Sequence, residues 1–171
     1  LIFGFTISSQ KVEKNNNKLN VVCPNDIGNM FSDETKIRQT LYNLISNAGK
    51  FTENGNVEVK ISAPIIKGQE WICIAITDNG IGLSPEQSNK IFNAFTQADS
   101  TTTKKFGGTG LGLSISWQFC KMLGGDILLE SQAGKGSVFT IVLPRNFDKF
   151  ANKVSKSELE RKVFQDKNTF K

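Results

Sequence analysis

The sequence contains an unusual glycine cluster, FGGTGLGLS, at residues 106–114. It opens an apolar stretch that predicts a helix from about Leu111 to Leu123. Glycine weakens helices and strands, so such a cluster marks backbone that bends sharply or lies close to another group. Free N–H groups at the start of a helix attract anions. The cluster lacks the spacing of a Walker A loop and of a dinucleotide fingerprint, so it indicates an anion site of another kind.

Asn43, Asn47 and Lys50 form a second group of candidate residues. They lie in a segment whose apolar spacing predicts a helix, capped by Ser32 or Asp33 and ending near Phe51. Offsets of four and three place the three side chains on one face, away from the apolar stripe. Such a face is either solvated surface or a site where an amide oxygen binds a hard cation such as Mg²⁺ and the lysine meets a phosphate.

The third group is ITDNGIGL at residues 76–83. Alternating apolar residues predict a strand over 71–78 that delivers Asp78 to its end, and Gly80 and Gly82 follow. One interpretation is an Asp-Asn-Gly turn with no further role. The other is a carboxylate, with room above it, that accepts a hydrogen bond from an exocyclic amine such as N6 of adenine.

Helix and strand patterns mix along the chain without a βαβ repeat. They predict an α+β fold: a two-layer sandwich with helices on one face of a mixed sheet. We expect one domain over 1–144, followed by a basic linker or tail over 145–171 that packs loosely. Residues 96–106 are polar and predict a loop. The predicted strands are 19–23, 54–62, 71–78, 126–130 and 137–144, and a further short helix runs from Pro85 to about Ala94.

The composition excludes several classes of function. The 171 residues include no histidine, which removes histidine acid–base chemistry, Ser-His-Asp triads and histidine metal sites. The net charge of +5 is concentrated in the tail, so nucleic-acid binding is not expected. No apolar run approaches the ~18 residues that a membrane span needs, so we expect no membrane insertion of this segment. The three scattered cysteines indicate buried free thiols in a reducing compartment.

Taken in order, the motifs resemble the N, G1, F and G2 boxes of sensor histidine kinases. The boxes are Asn43-x3-Asn47-x2-Lys50, Asp78-x-Gly80-x-Gly82, IFNAF at 91–95 and GGTGLGL at 107–113. The resemblance covers about residues 1–144, the whole ATP-binding domain of that family. Its wider superfamily includes gyrase and MutL ATPases and shares the Bergerat α/β sandwich. The stretch FTQADSTTTKKFGGTGLGLSIS is most similar to kinases of hybrid type.

The resemblance implies ATP and Mg²⁺ as cofactors and assigns a role to each residue. Asn47 would ligate Mg²⁺, Lys50 would touch phosphate, and Asp78, with Gly80 and Gly82 beside it, would select adenine. Residues 96–106 would form a lid over the nucleotide. Asn43 and Lys104 would be the catalytic residues. The loop around the triphosphate would comprise Gly108, Thr109, Gly110, Leu111 and Gly112.

Two positions depart from related patterns. Asn43 stands where ATPases of the superfamily have a glutamate that activates water, and a neutral amide is a poor base. This favours phosphoryl transfer over hydrolysis. Lys104 stands where the kinases usually have arginine, so the bidentate contact with phosphate is lost.

The absence of histidine places the phosphate acceptor elsewhere. The expected partners are a histidine-containing dimerisation domain and a response regulator or receiver domain, in a cytoplasmic two-component phosphorelay. We expect this chain to be a fragment of a longer kinase, whose parent protein could be membrane-anchored. Two alternatives stay open: a nucleotide-binding regulatory module without transfer activity, and an ATPase of the gyrase type.

Overall fold

The computed structural model describes residues 12–13, 15–93, 110–147 and 155–165. Within these ranges a mixed sheet has the strand order β1-β2-β4-β6-β5, and β3 pairs with β4. The β1–β2 pair is parallel and the other pairs are antiparallel. The predicted α+β class is confirmed. The strands are β1 Lys18–Val22, β2 Asn56–Ser62, β3 Ile65–Ile66, β4 Gln69–Asp78, β5 Asp126–Gln132 and β6 Gly136–Pro144; the helices are α1 Glu34–Phe51, α2 Pro85–Lys90, α3 Gly112–Met122 and α4 Lys156–Gln165.

The main core lies between one face of the sheet and the helices α1 and α3. Asp33 caps α1 by accepting a hydrogen bond from the backbone N–H of Lys36 at 3.0 Å, as the capping pattern predicted. The strands contribute their alternate residues to this face. The buried side chains of this core include Leu41, Leu44, Ile45, Val57, Val59, Ile72, Ile74, Ile76, Ile141 and Leu143.

The opposite face of the sheet is also covered, by α4. Trp71 and Cys73 of β4 point to this face and are fully buried. They pack with Leu159 and Val163 of α4, which are 3% and 2% exposed. The expectation that residues 145–171 pack loosely is therefore wrong for α4, and helices lie on both faces rather than on one. The physical reason is that the apolar second face of β4 has to be covered.

Replacing Leu159 by alanine should destabilise the domain by about 2–4 kcal/mol, because it leaves a cavity beneath α4. The melting temperature measures this loss. Trp71 reports it independently, since its fluorescence should shift to longer wavelength once α4 loosens. Arg161→Ala is the matched control, because Arg161 is exposed on the same helix. Unchanged melting of the Leu159→Ala variant would mean that α4 contributes nothing to stability.

The helix α2 is shorter than its sequence pattern indicated. A capping box starts it, in which Ser84 and Gln87 satisfy each other's backbone N–H groups. It ends at Lys90 rather than near Ala94, which lies outside the described residues, and a turn follows at 91–93. Within the described ranges, no helix has both the length and the apolar character needed to cross a membrane.

Candidate functional site

The face of α1 that carries Asn43, Asn47 and Lys50 is half-buried, and it faces α3 at Asn43. The Lys50 ammonium lies 5.0 Å from the centroid of the Phe51 ring. Desolvation lowers the pKa of Lys50. A partly desolvated ammonium gains from a nearby anion, which would favour its charged form. This face can therefore offer amide oxygens to a cation and a positive charge to a phosphate.

Asn43 joins the middle of α1 to α3. Its Nδ2 donates to the buried Ser116 hydroxyl at 2.9 Å. The Asn43 amide also lies against the Cα of Gly112, so any Cβ at position 112 would overlap it. The structure thus brings together Asn43 and Gly112, which belong to two different predicted motifs.

The first turn of α3 is the described part of the glycine-rich loop. Gly110 has a φ of +69°, a conformation that favours glycine. Leu111 stands at the N-cap position and gives no side-chain cap. Because a leucine side chain has no acceptor, the N–H groups of this first turn need acceptors from outside the helix. Lys104, Gly108 and Thr109, together with the predicted lid over 96–106, lie outside the described residues.

Asp78 ends β4 as a buried carboxylate, 7% exposed. Its Oδ1 accepts from the backbone N–H of Gly80 at 2.9 Å. Burial raises the pKa of Asp78, while the backbone N–H groups of Gly80 and Ser137 and the nearby Thr52 hydroxyl oppose that rise. A buried carboxylate with directed donors around it has the geometry to read one ligand group at close range.

The loop after Asp78 is held by the β5–β6 hairpin. Gly82 has a φ of +63°, and a Cβ there would overlap the carbonyl of Gln132. The backbone N–H of Gly134 donates to the Ile81 carbonyl at 2.7 Å, and that of Leu83 donates to the Ser131 hydroxyl at 2.9 Å. The glycine at position 82 thus allows a close approach that fixes the loop beside Asp78.

Sequence reasoning missed the side chain that anchors α3. Asp126, at the start of β5, is 1% exposed. It accepts from the Trp117 indole at 2.9 Å and from the Lys121 ammonium at 2.7 Å, both on α3. Its Oδ1 also accepts from the backbone N–H of Ile127 at 2.9 Å. This anchor therefore holds α3, which begins at Gly112, against the sheet.

The donor groups fit a nucleotide. Among the described residues, no cluster of three or more histidine, cysteine, aspartate or glutamate side chains could hold a metal ion. A Mg²⁺ ion in this site would depend on the Asn47 amide oxygen and on phosphate oxygens, which suits an ion that is often bound through phosphates and water. Lys50 and the uncapped start of α3 suit the phosphates, and the buried Asp78 suits the base.

A family model described as histidine kinase-, DNA gyrase B-, and HSP90-like ATPase matches residues 32–146. The chain belongs to this family. The match spans α1 to β6 and so includes every described residue of the predicted site. It ends before α4 and begins after β1.

Curated relatives within the family are histidine kinases. Hybrid signal transduction histidine kinase F of Dictyostelium discoideum is 37% identical over 82% of this chain and 13% of its own length. The autoinducer 2 sensor kinase/phosphatase LuxQ of Vibrio harveyi is 34% identical over 83% of this chain and 18% of its own length. The chain thus spans less than a fifth of either relative.

Solved structures agree with this assignment. Full-length ShkA in complex with AMPPNP has a TM-score of 0.71 and 28% identity, over 84% of this chain and 28% of that one. The nucleotide-free catalytic domain of histidine kinase ThkA has a TM-score of 0.70 and 26% identity, over 86% of this chain and 91% of that one. The chain is therefore an ATP-binding domain of the histidine kinase type, as found in sensor kinases.

Proposed function

We propose that this domain binds Mg²⁺–ATP and transfers the γ-phosphoryl group to a histidine on a separate dimerisation domain. The observation that carries this proposal is the meeting of α1 and α3 at Asn43 and Gly112. This contact brings Asn43, at one end of the amide and lysine face of α1, beside the first turn of α3. Phosphoryl transfer depends mainly on positioning and charge stabilisation, and this arrangement supports the proposal because it is suited to both.

Each side of the site has a distinct task in this proposal. Asp78 accepts a hydrogen bond from the adenine amine, and Gly80 and Gly82 leave room for the base. Lys50 binds phosphate, and the loop from Gly108 to Gly112 surrounds the triphosphate. Asn47 ligates Mg²⁺, which supplies positive charge at the transferred group when bound. Lys104 contributes a further positive charge from the lid.

Asn43 favours transfer over hydrolysis. Its amide has no proton affinity near neutral pH, so it cannot remove a proton from water. The amide nitrogen is moreover engaged with Ser116. We therefore assign Asn43 the task of holding the glycine-rich end of α3 against α1. A histidine imidazole needs no such base, because its neutral ring nitrogen carries a free lone pair. It would attack the γ-phosphorus and form an N–P bond, while the bond from that phosphorus to the β–γ bridging oxygen breaks and ADP leaves.

The partners follow from the residues that the chain lacks. The sequence contains no histidine, so the acceptor belongs to another domain. Because the relatives include hybrid kinases, we place a dimerisation domain and a receiver domain or response regulator in the same phosphorelay. We assign this activity to the cytoplasm, where ATP is available.

Calorimetry and phosphate release from the isolated chain test this proposal. We expect the chain alone to bind ATP in the presence of Mg²⁺ and to release no appreciable phosphate, because Asn43 cannot act as a base. Absence of ATP binding at millimolar nucleotide would contradict the proposal. Rapid phosphate release would favour a gyrase-type ATPase. Binding without transfer to any histidine domain would favour a regulatory module.

A further inference from the structure

The C-terminal end of α1 is capped by a side chain from a distant segment. The last carbonyls of a helix have no partner within it. Here Thr52 leaves the helix in an extended conformation. The amide nitrogen of Asn17 donates to the carbonyl of Gly49 at 2.9 Å and to that of Thr52 at 2.8 Å. The carbonyl of Phe51, between them, accepts from the backbone N–H of Ile81 at 3.2 Å.

Asn17 is also bound through its oxygen. The backbone N–H of Gly55 donates to its Oδ1 at 2.9 Å. Asn17 is 4% exposed, and its two contacts with the helix end are buried, while the contact with Gly55 is partly buried. This buried amide therefore ties the end of α1 to the turn that precedes β2. The amide of Asn15 shares one of these contacts, since its Nδ2 also donates to the carbonyl of Gly49 at 3.0 Å, but it does not reach the carbonyl of Thr52.

Both attachments lead to the loop around Asp78. The Thr52 hydroxyl lies against the Cα of Gly80, where an added Cβ would come within 2.8 Å of it, and the backbone N–H of Gly80 donates to Asp78 at 2.9 Å. Gly55 packs against the side chain of Asn79. The Oδ1 of Asn79 accepts from the backbone N–H of Asn56, the residue after Gly55, at 2.8 Å. A displaced Asn17 would thus release residues 78–80 from two sides.

We propose that Asn17 is a positioning residue for the base-binding wall of the nucleotide site. It fixes the end of α1 and the turn before β2, and these fix Asp78 and Gly80. The inference rests on the proposed function, because it takes Asp78 as the group that reads adenine. Asn17 lies outside residues 32–146, the range that the family model matches.

Nucleotide titration of an Asn17→Ala variant tests this role. The wild type and the variant are each titrated with ATP and, in a separate experiment, with GTP, which lacks the adenine amine. We expect the variant to bind ATP at least tenfold more weakly, with a much smaller loss for GTP, so that discrimination between the two bases falls. The control is Asn20→Ala, since Asn20 is exposed on β1 and makes one side-chain hydrogen bond to Glu58. It should keep wild-type values.

Changed discrimination is a result that general loosening of the fold would not give. Wild-type affinity in Asn17→Ala, or equal losses for ATP and GTP, would overturn the role of Asn17. If the Asn17→Ala variant does not fold, the same ATP and GTP titrations are made with Asn17→Ser, whose hydroxyl keeps one hydrogen-bond donor, and the same outcomes decide. Absence of ATP binding by the wild type would overturn the proposed function and the role of Asn17 together, whereas failure of the Asn17 criteria alone leaves the proposed function standing.

Discussion

Replacing Asp78 by asparagine is expected to weaken ATP binding at least 100-fold while leaving the domain as stable as the wild type or more stable. The carboxylate offers acceptors both to its backbone donors and to a ligand amine. An amide has one acceptor oxygen, so its NH₂ group must face either the Gly80 N–H or the base. Either way, two buried hydrogen-bond donors face each other and one is left without an acceptor, which strongly weakens binding.

Stability should respond in the opposite direction to binding. Burial raises the pKa of Asp78 in the folded state, so folding favours the protonated carboxyl. The contribution of Asp78 to stability is therefore highest below its unfolded pKa, and it falls as pH rises to the folded pKa. The Asp78→Asn variant has no charge to bury at this position at neutral pH.

Calorimetry with ATP and thermal melting across pH measure both effects. The stability of the wild type should decline as pH rises above the usual pKa of an aspartate. The Asp78→Asn variant should not show this decline. Asp26→Asn is the control, since Asp26 is exposed in the loop after β1. ATP affinity within threefold of the wild type would show that Asp78 does not read the base.

Replacing Asn47 by alanine is expected to abolish phosphoryl transfer and to remove the dependence of ATP binding on Mg²⁺. The amide oxygen is the ligand that we assign to the ion, and no cluster of acidic side chains among the described residues could replace it. Without the ion, the charge on the transferred group is not neutralised. The loss should appear in the transfer rate far more than in the affinity for metal-free ATP.

A comparison of titrations in Mg²⁺ and in EDTA isolates this role. The wild type should bind ATP more tightly with Mg²⁺ than in EDTA, and the Asn47→Ala variant should bind equally in both. Gln39→Ala on the exposed side of α1 should keep the wild-type difference. An Asn47→Ala variant with an intact Mg²⁺ effect would place the ion elsewhere.

Local patterns were sufficient to predict most of the fold. Alternation in β2 and β4 placed Val57, Val59 and Ile74 on one face, and that face is the core. The docking of α4 was missed because its segment is mostly charged and contains few apolar residues, among them Leu159 and Val163. A signal for it was present in WICIAI, which is apolar at successive positions, since a strand buried on both faces reads as a continuous apolar run.

The sequence identifies the motif residues of the candidate site, whose roles stay predictions, but it does not identify the residues that support them. Asn43 and Gly112 stand in recognisable motifs, and the structure brings them into contact. Asn17 and Asp126 belong to no motif, and their partners lie on other elements. Contacts of this kind depend on how helices and strands pack in three dimensions, which spacing along the chain does not specify.

Radiolabelled ATP, mixed with this chain and with a separately prepared histidine-bearing dimerisation domain of the same kinase, tests the central claim most directly. We predict no label on either component alone and acid-labile label on the dimerisation domain when both are present. Transfer should be slow because the domains are untethered. The Asn47→Ala variant should give no label. Acid-stable label on the isolated chain, or rapid phosphate release without the partner, would contradict the account.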